Sequence, residues 1–308
     1  MQGRWREVSP CDPIDLPQNK LEPQFINYAA THGFLCRFNT EFVSFTEGHT
    51  NGTVDVTVKD TVFQQTFKIR CKFLFGADGA RSRIVNQLGL PLTKDQGGGL
   101  AWSILVKADL AHLMDSRKGS LHWIYQHDVE HPDWGWIGFP RTVNEWDEWL
   151  IIFLPVPGYK MITPPSTDEW MKRINQFIGD DSVKVEILDV AKWQINEIYA
   201  NQYSKGRIFC LGDAVHRHPP ANGLGSNTCI QDAFNLAWKI SYVLKGKLQV
   251  SFHEDAILTF WFTRNCGNGT VGLVQRRETA CRRSNCRTVS LTFIAERYRC
   301  SDLFSQGQ

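Results

Sequence analysis

Apolar residues along this chain change spacing several times, and each change marks an element. Over residues 18–32 they recur at three and four positions (Leu21, Phe25, Tyr28, Ala29) with Gly33 behind them, which predicts a helix with a glycine stop. Residues 34–45 read as strand. Residues 54–58 alternate, as do residues 63–69, and Asn51-Gly52 ahead of them is a turn signal; together they predict a small β-meander. Residues 72–75 form a short apolar run of buried-strand length, with Ile84, Val85 and Leu88 spacing a helix after it. Residues 100–155 are rich in aromatic and β-branched residues, in runs at 102–106, 121–125, 135–139 and 148–153, which predicts an antiparallel sheet.

Beyond that sheet, Thr167–Ile178 reads as a helix with Ser166 or Thr167 as cap and Trp170, Ile174 and Phe177 on one face. Residues 183–195 return as strand and residues 208–211 as another. A last helix follows a loop: Ile230, Ala233, Phe234, Ala237, Trp238 and Ser241 set its apolar stripe, with Gly246 as its stop. After Lys247 the periodicity fades. Residues 260–308 hold Cys266, Cys281, Cys286 and Cys300 and a run of arginines.

Composition narrows the class. With 42% hydrophobic and 21% charged residues in 308, the chain can bury a core of one large or two medium domains. A net charge of +2 gives no argument for a nucleic-acid partner. No apolar run approaches the ~20 residues that span a bilayer, and the opening residues show no secretory signal. Nine cysteines without a C-x-x-C pair favour reduced thiols and a cytoplasmic location, and the nine histidines show no metal-ligand spacing.

Two stretches carry chemistry. The strand at 208–211 ends in Gly212-Asp213, and a loop with Pro219, Pro220, Gly223 and Gly225 leads into the last helix. The amides of Gly225, Ser226 and Asn227 then sit at a helix N-terminus, where the dipole favours negative charge. Asp213 offers a carboxylate at a strand's C-terminal edge, a usual place for a sugar-type hydroxyl. The strand at 72–75 likewise runs into Gly76-Ala77-Asp78-Gly79-Ala80-Arg81-Ser82-Arg83 at a helix start. An ordinary β-loop-α corner with Asp213 as a cap, and a plain turn at Asp78-Gly79, are the simpler readings of each stretch alone.

The full run Gly-Asp-Ala-x-His-x-x-Pro-Pro-x-x-Gly-x-Gly-x-Asn, then Asp-Ala-x-Asn-Leu-x-Trp-Lys, resembles the second flavin-binding signature of the single-component flavoprotein aromatic hydroxylases. This is the group of p-hydroxybenzoate hydroxylase and phenol 2-monooxygenase. Around His218-Pro219-Pro220 and Asn227 it is most like the 2,4-dichlorophenol 6-monooxygenase branch. Gly76 to Arg83 resembles the family's Asp-Gly motif, with Arg83 displaced from the usual arginine position. The resemblance implies FAD as cofactor. Asp213 would meet a ribityl hydroxyl, Pro219 and Pro220 the isoalloxazine ring, and Gly225, Ser226 and Asn227 the flavin N1 and O2 edge. Asp78 and Gly79 would lie near the ribityl-pyrophosphate region and aid NAD(P)H binding. Gln18 stands where relatives place a glutamine or arginine near FAD, although alone it reads as a polar helix start.

The implied fold is α/β (α+β): an incomplete doubly wound, three-layer FAD-binding domain with an inserted antiparallel-sheet substrate domain. The expected division is 1–99 as partial FAD-binding domain, 100–200 as substrate sheet, 201–250 as the return of the FAD-binding domain, and 251–308 as an atypical tail, with disorder one reading of it. A Gly-x-Gly-x-x-Gly unit is not recognisable ahead of Gln18, so the family's first βαβ unit is expected to be missing. The implied reaction is hydroxylation of a phenolic substrate with NAD(P)H and O2 through a flavin C4a-hydroperoxide, with a homodimer as the assembly considered. A halogenase or epoxidase on the same scaffold, or a truncated product that no longer holds FAD, are the alternatives. The segment Trp134-Gly135-Trp136-Ile137-Gly138-Phe139-Pro140 only echoes the halogenase Trp-x-Trp-x-Ile-Pro pattern. No acid-base residue is assigned; His216 and His218 flank a tight loop and read as structural hydrogen-bonding groups.

Overall fold

The computed structural model describes residues 16–47, 52–114, 121–126, 129–156, 158–159, 164–220 and 224–247. The expectations for Asn51, Gly223, the residues ahead of Leu16 and the tail at 251–308 fall outside these residues. In chain order the elements are α1 (Gln18–Thr31), β1 (Thr40–Glu47), β2 (Val54–Asp60), β3 (Thr66–Cys71), β4 (Leu74–Gly76), α2 (Arg83–Leu88), β5 (Leu92–Lys107) and α3 (Ala111–Met114). There follow β6 (Ile124–Tyr125), β7 (Ile137–Asn144), β8 (Glu148–Leu154), α4 (Thr167–Ile178), β9 (Glu186–Ala200), β10 (Ser204–Lys205), β11 (Ile208–Cys210), β12 (His216–Arg217) and α5 (Leu224–Leu244). The described residues form two compact units, one of residues 16–28 and 99–194, the other of residues 29–98 and 195–247. None of the described helices is long and apolar enough to cross a membrane.

The second unit contains the β-meander. Strands β1, β2 and β3 pair antiparallel in that order. Alternate residues of β2 are buried, as its period-two pattern requires. Two boundaries differ from the sequence expectation. Residues 34–39 stay outside the sheet, and Asn39 takes a positive φ of 53° just before β1. Phe63 lies in a turn, because Asp60 Oδ1 accepts the Val62 and Phe63 amides at 2.9 Å each and Gln64 turns the backbone at φ 57°.

Strands β4 and β11 run side by side and parallel, Ile208 opposite Leu74 and Cys210 opposite Gly76, with β10 antiparallel on the far edge of β11. Both faces of this pair are covered, as continuous apolar runs in a parallel pair demand. One face packs into a core with Val54, Val56 and Val58 of β2 and Ile84, Val85 and Leu88 of α2. The other presents Phe73, Phe75, Phe209 and Leu211 to Ile240 of α5.

Helix α5 forms where expected but turns over. Ile230, Phe234 and Trp238 of its apolar stripe are exposed, Phe234 by 75%. The buried positions are Thr228, Asp232, Lys239 and Ile240. Helix α1 also buries no residue, and Phe25 and Tyr28 face out.

The first unit is built on an antiparallel sheet in which β5, β8, β7 and β6 are successive neighbours. Trp102, Ile104 and Val106 of β5 and Trp149, Ile151 and Phe153 of β8 point to one face and pack with Trp170, Ile174 and Phe177 of α4. The approach is close. A Cβ on Gly138 would lie 2.4 Å from Phe177, so only glycine fits where β7 passes under α4. Ser166 caps α4 in a capping box with Glu169, and Gly179 ends the helix at φ 73°.

Arg173 of α4 is buried at 2% exposure. Its Nε donates to Gly135 O at 2.9 Å, and one terminal nitrogen donates to Gln126 Oε1 at 2.9 Å and Gln176 Oε1 at 3.0 Å. The guanidinium also lies over the Phe153 and Phe177 rings.

After α4, Asp180 accepts from Ser182 Oγ at 2.6 Å, Ser182 N at 2.9 Å and His112 Nε2 at 2.8 Å. The Ser182 hydroxyl, then the His112 ring, holds its carboxyl at about 2, below the ordinary 3.8. Because the folded value is the lower one, this stabilisation is complete above about pH 4 and is lost as the pH falls through 2. Asp180→Asn should therefore flatten the acid limb of stability between those limits, read as the urea midpoint against pH. An unchanged limb in the variant would remove Asp180 from the account.

Candidate functional site

Two loops leave the C-terminal ends of the adjacent parallel strands β4 and β11. They are the Asp78-Gly79 loop and the Gly212-Asp213 corner, and both belong to the second unit. In open parallel sheets, that end of the strands is where ligands bind.

The Asp78 carboxylate is engaged within its own loop. Oδ1 accepts the Ser82 hydroxyl at 2.6 Å, and Oδ2 accepts the Arg83 amide at 2.8 Å and the Ile84 amide at 3.3 Å. Ser82 Oγ in turn caps α2 by accepting the Val85 amide at 2.9 Å. Gly79 turns the backbone at φ 74°. The Arg83 guanidinium points back to the meander, donating to Phe42 O at 3.1 Å and pairing with Glu41. The acidic side chain of this loop is thus engaged in holding the start of α2.

The corner is built the other way round. Asp213 is exposed within a 3-10 turn, Gly212 to Ala214, that Gly212 opens at φ 63°. The thiol of Cys229, 3.7 Å away, donates to Asp213 Oδ1. Burial, then the Asp213 and Asp232 carboxylates beside it, pushes that thiol up to about 12, so it stays protonated and neutral.

Behind Asp213 lies a buried group that sequence reasoning passed over. Asp232 Oδ2 accepts the Gly212 amide at 3.0 Å and His216 Nε2 at 2.6 Å. Both side chains are about 5% exposed. A carboxylate only accepts, so the His216 proton sits on Nε2. Asp232 lies about two turns before Ile240 on the buried side of α5, and a polar anchor there can outweigh the apolar stripe in deciding which face goes inward. The His218 ring lies 5.1 Å from that of His216, and burial, then His216, lowers its pKa and keeps it neutral at neutral pH. Both histidines are packed into the corner, as their loop position suggests.

Gly225, Ser226 and Asn227 occupy the first turn of α5, where amides lack intrahelical acceptors. Among the described residues outside its own turn, nothing lies within 4 Å of where a Gly225 Cβ would be. Pro220 is exposed. Gln18 lies in the other unit as the first residue of α1 and donates to Glu22. Among the described residues, no group of three or more His, Cys, Asp or Glu side chains could hold a metal.

Asp232 had a signal in the sequence, a lone acid within the helix that follows the glycine loop. A second residue had none: Arg217, whose Nε donates to Asp213 O at 3.1 Å and whose terminal nitrogen donates to Ala80 O, 137 positions away.

The chain matches the model of the FAD binding domain family over residues 2–256. It is 44% identical over 255 residues to 2,4-dichlorophenol 6-monooxygenase of Delftia acidovorans, covering 80% of this chain and 42% of that protein. It is 38% identical over 243 residues to phenol 2-monooxygenase of Pseudomonas sp. (strain EST1001), covering 78% of this chain and 37% of that one. Among solved structures, the flavin-dependent monooxygenase PieE in complex with FAD and substrate superposes with a TM-score of 0.68 at 33% identity, over 79% of this chain and 42% of that one. The chain spans about two fifths of the length of these relatives. With the Asp-Gly loop, the Gly-Asp corner and the open helix start of α5 assembled at neighbouring strand ends, the chain belongs to the FAD binding domain family.

Proposed function

We propose that this chain carries part of an FAD-dependent monooxygenase that hydroxylates a phenolic or related aromatic substrate with NAD(P)H and O2. The observation that carries the reading is the meeting, at the ends of β4 and β11, of two glycine-acid loops beside the start of a 21-residue helix. The donor set fits the cofactor. Asp213 is an exposed carboxylate suited to a ribityl hydroxyl. The first turn of α5 suits the electron-rich pyrimidine edge of a reduced flavin. Pro219 and Pro220 offer a rigid wall, and the Asp78 loop offers backbone. FAD, when bound, supplies hydride acceptance and O2 activation; the protein binds, orients and excludes water.

The first unit supports an aromatic substrate. The sheet face opposite its core carries Leu121, Trp123 and Tyr125 in a row, and Trp123 is 61% exposed. Trp123 meets Phe139 edge-on at 4.4 Å, and Tyr125 meets Trp136 edge-on at 5.5 Å. Such a surface suits a flat apolar ring. The names of the relatives point to phenols as the class. Free thiols at Cys36, Cys71, Cys210 and Cys229 fit a reducing compartment such as the cytoplasm. A homodimer is the assembly we favour.

The test is flavin retention. Protein mixed with FAD and passed through gel filtration should keep the flavin bands, and phenols should then stimulate NAD(P)H oxidation with a catechol product. Asp213→Ala removes one charge-assisted hydrogen bond of about 1.5–3 kcal/mol and should weaken FAD binding about 10- to 100-fold. Full retention by that variant rejects the ribityl assignment; a colourless wild-type chain rejects the reading.

A further inference from the structure

Nothing in the flavin signature gives Arg217 a task, yet its geometry is specific. Its backbone is pinned, because β12 pairs with β9, Arg217 opposite Ile198 and His216 opposite Tyr199. Its side chain is half-buried, and that burial lowers the guanidinium pKa. From that position Nε donates to the Asp213 carbonyl and a terminal nitrogen donates to the Ala80 carbonyl. One acceptor lies in the Gly212-Asp213 corner and the other in the Asp78-Gly79 loop.

A rigid, planar fork of donors is the side chain that can hold two carbonyls at a fixed separation; a lysine ammonium is a single point. Strand pairing between β4 and β11 covers only Leu74 to Gly76 against Ile208 to Cys210. Leu211 N donates to Gly76 O at 3.0 Å at their C-terminal ends, and each strand then runs into its loop. The Asp78 loop is internally capped, and Asp232 holds the corner to α5. Each loop is therefore stiff in itself, and Arg217 joins one to the other.

We infer that Arg217 is a positioning residue that ties the Gly-Asp corner to the Asp-Gly loop, so that both are set at one spacing before cofactor enters. The inference rests on the flavin reading for its purpose but not for its geometry. Preorganisation of this kind strengthens binding by removing an ordering cost that the ligand would otherwise meet.

The experiment compares wild type, Arg217→Met and Arg217→Lys by amide hydrogen exchange without cofactor, and by FAD titration followed by flavin fluorescence and visible circular dichroism. In Arg217→Met, amides at 79–84 and 212–218 should exchange about tenfold faster or more, while those of β2 and β8 keep wild-type rates. FAD should bind about tenfold or more weakly, with an altered visible dichroism. Arg217→Lys, which reaches one carbonyl at a time, should restore protection to one loop at most; it is also the variant read if Arg217→Met does not fold. Wild-type exchange in both loops overturns the tie, whatever FAD does. Loosened loops with unchanged FAD affinity overturn the positioning role. A wild-type chain that takes up no FAD overturns the flavin reading instead, and the exchange comparison alone then decides the tie.

Discussion

Asp232→Ala should cost about 3–5 kcal/mol of stability, the scale for removing one partner of a buried ion-paired or hydrogen-bonded charge. The variant leaves the Gly212 amide and the His216 ring buried without their acceptor, since both bonds converge on Asp232 Oδ2. It also opens a gap under α5 beside Thr228, itself 3% exposed. Urea unfolding measures the loss. A double-mutant cycle with His216→Ala should return a coupling of about 0.5–3 kcal/mol, because the two side chains share one hydrogen bond. Asp232→Asn keeps an acceptor for Gly212 and should cost less. A loss under about 1 kcal/mol in Asp232→Ala would mean that α5 is held by its apolar contacts alone, and that the account of why it turned over is wrong.

In the first unit, Arg173→Ala should cost about 3–4 kcal/mol, combining unmade hydrogen bonds with a cavity. Three oxygens lose a donor: Gly135 O, Gln126 Oε1 and Gln176 Oε1. The Phe153 and Phe177 rings lose the guanidinium packed over them. Arg173→Met fills part of the volume but supplies no donor, so it should recover the packing share and not the rest. Equal stability of Met and wild type would show that the arginine is tolerated there and does not hold the Asp133 to Gly135 turn against α4. Tryptophan fluorescence is a direct readout, since Trp134 packs on Trp170 at 4.3 Å beside this site.

Both predictions concern side chains whose importance was hard to read in advance, and the reasons are physical. Elements driven by local spacing were legible. Residues 54–58 gave β2, Thr167–Ile178 gave α4 to the residue, and the glycine-acid-proline sequence at 212–225 marked a strand, loop and helix start. Local hydrogen bonds were less so. Residues 63–65 alternate well enough for strand, but Asp60 closes a turn over Val62 and Phe63 and wins. The rotation of α5 was not legible, because periodicity reports which face is apolar, not which face is inward. One buried carboxylate with two donors aimed at it can decide the second question against the first.

The amino-acid order by itself determined where strands end in glycine and acid and where a helix begins with bare amides, and so where a polar, electron-rich ligand is expected. Those are short-range facts, fixed by backbone geometry within a dozen residues. Only the folded chain decided what each acid does. Asp78 and Asp213 look alike in sequence, yet Asp78 is consumed by Ser82, Arg83 and Ile84 while Asp213 stands exposed. The fold also set Arg217 against a carbonyl 137 residues away and Arg173 against partners up to 47 away. Contacts at that range come from how sheets and helices pack, and a carboxylate or guanidinium takes whichever donor or acceptor that packing brings within 3 Å.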